Sequence, residues 1–217
     1  MTHIKICGLT TEESLRSAAE NGADFIGLVF YPPSPRAVMT DQAAALAKTI
    51  RHIPASARPQ LTGLFVNADD ALIADVLDHV PLDLLQLHGD ETPQRCRDVR
   101  TQFDLPVMKA IPVATQDDLK HLAAYQDACD WILFDTKSAN SAEKGGTGQC
   151  FDWALLSDIR HTTPWMLAGG LNRDNITDAL QRLSPDAVDV SSGVEEQRGV
   201  KNSAMIKEFI ETVRQSD

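Results

Sequence analysis

A thiol, an imidazole, two carboxylates and an arginine stand at places in this chain where chemistry needs an explanation. Cys7 closes the apolar run Ile4–Cys7, and Asp135 closes the run Trp131–Asp135. His88 ends Leu84–His88, and Asp189 lies between Val188 and Val190. An aspartate inside or at the end of such a run is costly to bury without a partner or a task. Asp135 suits a general acid, which must hold a proton near a reacting oxygen, and equally suits a helix cap or loop carboxylate. Cys7 suits a base or nucleophile if a cation favours its thiolate, and equally suits a small buried hydrophobe. Lys5 shares a strand face with Cys7, where it can be that cation or an interior salt-bridge partner. Asp189 can pair with Lys5 or Lys109, or hold substrate hydroxyls. His88 shares a face with Gln86, and its default reading is a hydrogen-bonded support.

Two glycine-bearing turns, Gly169-Gly170 and Ser191-Ser192-Gly193, complete the set. Glycine lets backbone N–H groups approach an anion closely, so the two turns together read as a phosphate cradle. Arg36, in the proline-stiffened Ser34-Pro35-Arg36, can clamp a carboxylate or remain a solvated surface charge. No cysteine, histidine or carboxylate spacing suggests a metal, and no GxGxxG follows the first strand. The expectation is therefore proton transfer on a phosphorylated small molecule, with no metal and no cofactor.

The elements that must position these residues alternate along the chain. Strand-like runs at Ile4–Cys7, Phe25–Phe30, Leu61–Val66, Leu84–His88, Val107–Val113, Trp131–Asp135, Trp165–Ala168 and Ala187–Val190 are each followed by a segment of helical period. The helices are expected over Thr11–Asn21, Asp41–Arg51, Asp69–Val80, Pro93–Gln102, Gln116–Gln126, Trp153–Ile159, Asn175–Leu183 and Ala204–Gln215. Apolar sets such as Ile73, Val76, Leu77 and Val80 give each long helix one core-facing stripe. Thr10 with Glu13 and Thr92-Pro93 read as helix starts. Eight even units without a dinucleotide fingerprint favour an α/β fold of the (β/α)8 TIM-barrel type over an open doubly wound sheet. In such a barrel the C-terminal strand ends share one mouth, which gathers every residue named above. A short extra helical turn in Val194–Gly199 would complete the phosphate site. The glycine-rich loop from Lys137 to Cys150 could serve as a lid.

Composition bounds the partners. The 217 residues include 20 Lys plus Arg against 31 Asp plus Glu, a net charge of −11, which argues against nucleic acid. No apolar run is long enough for a membrane span, and the first residues do not read as a signal peptide. Four scattered cysteines suit reduced thiols in a cytoplasmic protein. The absence of a linker or composition break points to one domain over residues 1–217. Its size suits a monomer, with a homodimer left open.

Several blocks together resemble the phosphoribosylanthranilate isomerase family. They are Lys5-Ile6-Cys7-Gly8-Leu9-Thr10, Ser34-Pro35-Arg36, Gln86-Leu87-His88-Gly89, Phe134-Asp135-Thr136, Gly145-Gly146-Thr147-Gly148, Leu167-Ala168-Gly169-Gly170-Leu171 and Asp189-Val190-Ser191-Ser192-Gly193-Val194-Glu195. They occur in the family's order, and the likeness runs from residue 4 to about 213. The resemblance implies an Amadori rearrangement of N-(5′-phosphoribosyl)anthranilate in tryptophan biosynthesis. It implies Asp135 as general acid, Cys7 as general base, Arg36 facing the anthranilate carboxylate and Asp189 holding ribose hydroxyls. The backbone near Gly170 and Ser191–Gly193 would hold the phosphate, with His88 in support. The histidine-pathway isomerase is similar in chemistry but resembles a pattern with aspartate where Cys7 stands. Orotidine-phosphate decarboxylase shares a DxKxxD pattern that Asn140 breaks. A non-catalytic barrel that binds a phosphorylated metabolite is the alternative of a different class.

Overall fold

The computed structural model describes residues 1–137, 150–157, 159–160 and 162–216. Eight parallel strands close a barrel in chain order: β1 (His3–Cys7), β2 (Phe25–Val29), β3 (Gln60–Phe65), β4 (Leu84–Leu87), β5 (Val107–Val113), β6 (Trp131–Thr136), β7 (Trp165–Leu167) and β8 (Ala187–Val190). Their helices are α1 (Glu12–Glu20), α2 (Thr40–Thr49), α3 (Asp70–His79), α4 (Pro93–Phe103), α5 (Leu122–Gln126), α6 (Ala154–Ser157), α7 (Ile176–Arg182) and α8 (Ser203–Ser216). The (β/α)8 barrel expected from the eight repeats is the fold.

Residue parity divides each strand between two cores. Ile4 and Ile6 of β1 point outward and join Leu15 and Ala18 of α1 and Phe209, Ile210 and Val213 of α8 in the layer between sheet and helices. The other parity fills the barrel. Phe25, Leu84, Met108, Leu133, Met166 and Ala187 form its apolar plug. Above them Cys7, Val29 and Leu64 make a small cluster at the mouth. Burying each large apolar side chain contributes about 1.5–3 kcal/mol, so the plug is a rigid floor for whatever sits on it.

The opposite end carries a repeated device. Asp24, Asp83, Asp130 and Asp186 each stand just before an even-numbered strand. Each accepts from the first amide region of the preceding odd strand: Ile4 N at 2.8 Å, Leu61 N at 2.8 Å, Val107 N at 2.9 Å and Trp165 N at 2.9 Å. A parallel strand start leaves an amide without a ladder partner, and the carboxylate satisfies it with a charge-assisted bond. The strands are thus pinned in pairs at the bottom, far from the mouth.

Two expected elements differ. Gln116–Gln126 is not one helix: a 3-10 turn over Gln116–Leu119 precedes α5. Thr115 and Asp118 form a reciprocal capping box that tightens the turn. Leu119 at the end of the turn and Leu122 at the start of α5, three apart, both reach the core. Val194–Gly199 forms no helical turn either. It enters an antiparallel hairpin of β9 (Glu195–Gln197) and β10 (Val200–Lys201). Gly199 closes the turn at φ +85°, where a side chain would be strained, and donates its N–H to Glu195 Oε2 at 3.0 Å. The expected lid between Lys137 and Cys150 lies largely outside the described residues.

Candidate active site

One cleft at the C-terminal end of the barrel is lined by Cys7, Arg36, His88, Asp135, Asp189 and Ser191, with Ser34, Tyr31 and Gln86 beside them. Val29, Leu64 and Val66 give it one apolar wall. Six of the ten residues expected at the site therefore meet in one space, drawn from four different strand ends and one loop. Cys7, Arg36, Asp135 and Asp189 are all buried, with 4–8% of each exposed.

Asp135 is held from two sides. Its Oδ1 accepts from Thr136 N at 2.8 Å, and its Oδ2 lies 3.3 Å from His88 Nε2. His88 Nδ1 lies 2.9 Å from Gln86 Nε2. With the amide nitrogen facing the ring, Nδ1 accepts and Nε2 carries the hydrogen directed at Asp135. His88 thus lies against the carboxyl, with Gln86 as its hydrogen-bond partner. Gly169 packs against the same group at φ +84°, and a Cβ there would fall 2.4 Å from Thr136 Oγ1 and 3.1 Å from Asp135 Oδ1.

Asp189 takes Lys5 as its partner, Nζ to Oδ1 at 2.9 Å, and not Lys109. Lys109 has the opposite parity and leaves the barrel. Its ammonium donates to Leu87 O, Gly89 O and Glu91 Oε2 at 3.2, 2.7 and 2.8 Å. Burial works against the Lys5 charge, but Asp189 and the Cys7 sulfur outweigh it and raise the ammonium pKa above 10.5. Burial raises the Cys7 thiol pKa; Lys5 and Lys201 pull it down, and the net result stays above 9.0.

Arg36 is a buried clamp that already holds an internal carboxylate. Its Nε and Nη2 bind Glu195 Oε1 and Oε2 at 2.6 and 2.9 Å. Lys201 Nζ binds the same Glu195 Oε1 at 2.7 Å, Ser191 O at 2.9 Å and Ser191 Oγ at 3.1 Å. Sequence reasoning gave Glu195 and Lys201 no role. Their only signal is two opposite charges flanking Gly199, which means nothing until the hairpin folds them inward.

Burial by itself would raise the Glu195 carboxyl, yet Arg36 and Lys201 hold it down at about 2 from an ordinary 4.5. A folded value below the unfolded one gives stability that is full above pH 4.5 and is lost as pH falls towards 2. Thermal unfolding should therefore show a melting temperature that drops across that window, and less steeply in Glu195→Gln. Asp118, also held at about 2 with Lys137 as partner, keeps some slope in the variant. Parallel curves would remove Glu195 from the account.

Gly170, Ser192 and Gly193 are half-buried beside the cleft rather than on its lining. The two turns that carry them are neighbours, joined by a parallel bridge between Asn172 and Gly193. No group of three or more metal-binding side chains occurs among the described residues. Nor is any helix there long and apolar enough to cross a membrane.

The family model for N-(5′-phosphoribosyl)anthranilate (PRA) isomerase matches residues 4–212. The chain belongs to the N-(5′-phosphoribosyl)anthranilate isomerase family. A relative of that name from Rhodopseudomonas palustris is 47% identical over 215 residues, covering 99% of this chain and 96% of that protein. One from Rhodospirillum rubrum is 44% identical, covering 99% and 98%. The crystal structure of phosphoribosyl anthranilate isomerase from Thermotoga maritima superposes with a TM-score of 0.87 at 36% identity, covering 99% of this chain and all of the other. A second isomerase structure, in complex with reduced 1-(o-carboxyphenylamino)-1-deoxyribulose 5-phosphate, gives 0.85 at 34% identity over the same shares. In this isomerase family member the acid, thiol and arginine blocks all open on one mouth.

Proposed function

We propose that the chain catalyses the isomerisation of N-(5′-phosphoribosyl)anthranilate to 1-(2-carboxyphenylamino)-1-deoxyribulose 5-phosphate in tryptophan biosynthesis, with Asp135 and Cys7 as acid and base. The observation that carries the assignment of roles is the meeting of these two buried groups on one cleft. Asp135 protonates the furanose ring oxygen. The C1′–O bond breaks as the anilino nitrogen forms a C1′=N Schiff base. The Cys7 thiolate then takes the C2′ proton, and the electron pair moves to the nitrogen to give an enolamine. Transfer of the 2′-hydroxyl proton to C1′ yields the aminoketose. No atom is gained or lost, so the reaction needs no oxidant and no group donor. Asp189 holds ribose hydroxyls with the oxygen that Lys5 does not engage, and the phosphate lies on the turns at Gly169-Gly170 and Ser191–Gly193. The ligand is a small phosphorylated molecule.

Arg36 faces the anthranilate carboxylate with Nη1, since Glu195 takes its other two nitrogens. Arg36→Met should weaken binding of anthranilate-bearing ligands by about 1.5–3 kcal/mol, the range for a charge-assisted hydrogen bond. It should also lower the melting temperature, because Glu195 keeps only Lys201 as a cationic partner. Titration of a product analogue checks the first effect, and unchanged affinity would sink the clamp.

The experiment that tests the activity follows the loss of substrate fluorescence with purified protein. Rescue of a tryptophan-requiring strain is the second arm. Failure of both overturns the reading.

A further inference from the structure

The acid–base chemistry above leaves the buried Lys5 without a task. Lys5 is fully buried, two residues before Cys7 on β1, and the ladder sets it opposite Asp189 of β8. An ammonium so deep in an apolar barrel is costly, and a salt bridge to Asp189 alone does not recover the cost over a well-packed apolar pair. A second observation shows what else it meets. Gly27 of β2 is the ladder partner of Cys7. A methyl placed on it would lie 2.8 Å from the Cys7 sulfur and 3.2 Å from Lys5 Nζ. The absent side chain is thus the gap that both groups occupy, and it keeps them side by side. Asp189 is the only carboxylate among the described residues that the Lys5 ammonium bonds, leaving hydrogens to point at the sulfur.

We propose that Lys5 is the positioning residue that makes Cys7 a base: its ammonium, held by Asp189 and admitted by Gly27, is the counter-ion of the catalytic thiolate. The inference rests on Cys7 being the base of the proposed reaction. The thiol proton leaves to solvent through the cleft before turnover, and the thiolate stays paired with the ammonium. The thiolate then takes the C2′ proton and becomes a thiol again, while Lys5 keeps all three of its hydrogens. The charged groups facing the sulfur are Lys5 on β1, Asp189 on β8 and Lys201 on the β9–β10 hairpin. Lys201 is committed to Ser191 and Glu195, so Lys5 is the cation with capacity to spare. Burial raises the thiol, so the active fraction grows with pH.

The test is a pH titration of the ultraviolet thiolate absorbance, with Cys7→Ser subtracted to isolate Cys7 from the other thiols. Lys5→Met is expected to move the Cys7 titration up by one pH unit or more, which is about tenfold less thiolate at a fixed pH below it. The rising limb of kcat/KM against pH should move with it, while KM changes little. Gly27→Ala keeps both charges and should give a shift of the same sign. If Lys5→Met does not fold because Asp189 is stranded, Gly27→Ala, which leaves the Lys5–Asp189 pair in place, carries the thiol titration. An unmoved Cys7 titration in the folded variants overturns the proposal. A titration that moves while the activity profile stays fixed keeps the pairing and overturns Cys7 as the base. A purely structural lysine would change stability and move neither curve.

Discussion

Cys7→Ala is expected to lower kcat by roughly 10²–10⁴-fold, the usual worth of a positioned general base, and to leave binding of a product analogue nearly intact. The thiol sits in a small cluster with Val29 and Leu64, so removing one sulfur leaves the cleft wall in place. Arg36, Asp189 and the two glycine turns, which are assigned the binding energy, are untouched. The loss should therefore appear in kcat, because the proton transfer is made only on the way to the transition state. Cys7→Ser sharpens the test. It keeps the shape, but an alcohol ionises far less readily than a thiol, so it should be as slow as the alanine variant. Full turnover in either variant removes Cys7 from the mechanism.

What the sequence discloses and what it hides follows the range of the interactions. Strand ends are local: an apolar run stops, and the residue that stops it is visible. That is why Cys7, His88, Asp135, Asp189 and Ser191 were all readable as members of one mouth once eight repeats implied a barrel. Parity is less secure. Lys5 and Lys109 look alike as lysines inside apolar strands, yet one enters the barrel to meet Asp189 and the other leaves it to meet Glu91. The difference is a single residue of register, and no local composition marks it. Arg36 with Glu195 is a pair 159 residues apart, created by the loop after β2 and the hairpin after β8. Nothing periodic links the two, so a clamp free for substrate and a clamp already holding Glu195 read identically. The hairpin is hidden for the same reason, since the Arg36 that binds Glu195 lies 159 residues away. The four aspartates that pin the strand starts are locally visible, but each looks like a loop residue until the odd–even pattern of the barrel is known.

Asp135→Asn is expected to lose turnover on the closed-ring substrate by a comparable factor, roughly 10²–10⁴-fold. Asparagine matches the carboxyl in size, and its oxygen can still accept from Thr136 N, so the end of β6 should keep its conformation. What it lacks is an acidic proton to give to the ring oxygen. The other side of the group makes the variant informative. His88 Nε2 lies 3.3 Å from the second carboxyl oxygen. If that nitrogen carries its hydrogen, as the Gln86 contact at Nδ1 implies, an amide NH2 in that place meets another donor. The asparagine must then turn its oxygen to His88 and give up the bond it accepts from Thr136 N, or accept the donor clash, and a modest fall in melting temperature would register either. Substitution of Gln86 by Glu, which can only accept at that position, should hold the opposite tautomer and relieve the clash when combined with Asp135→Asn. Turnover would remain lost in the combination, since restoring the hydrogen bonds does not restore the acid. Wild-type rates in Asp135→Asn would place the acid elsewhere. Recovery of rate in the double variant would mean that Asp135 serves only to orient His88.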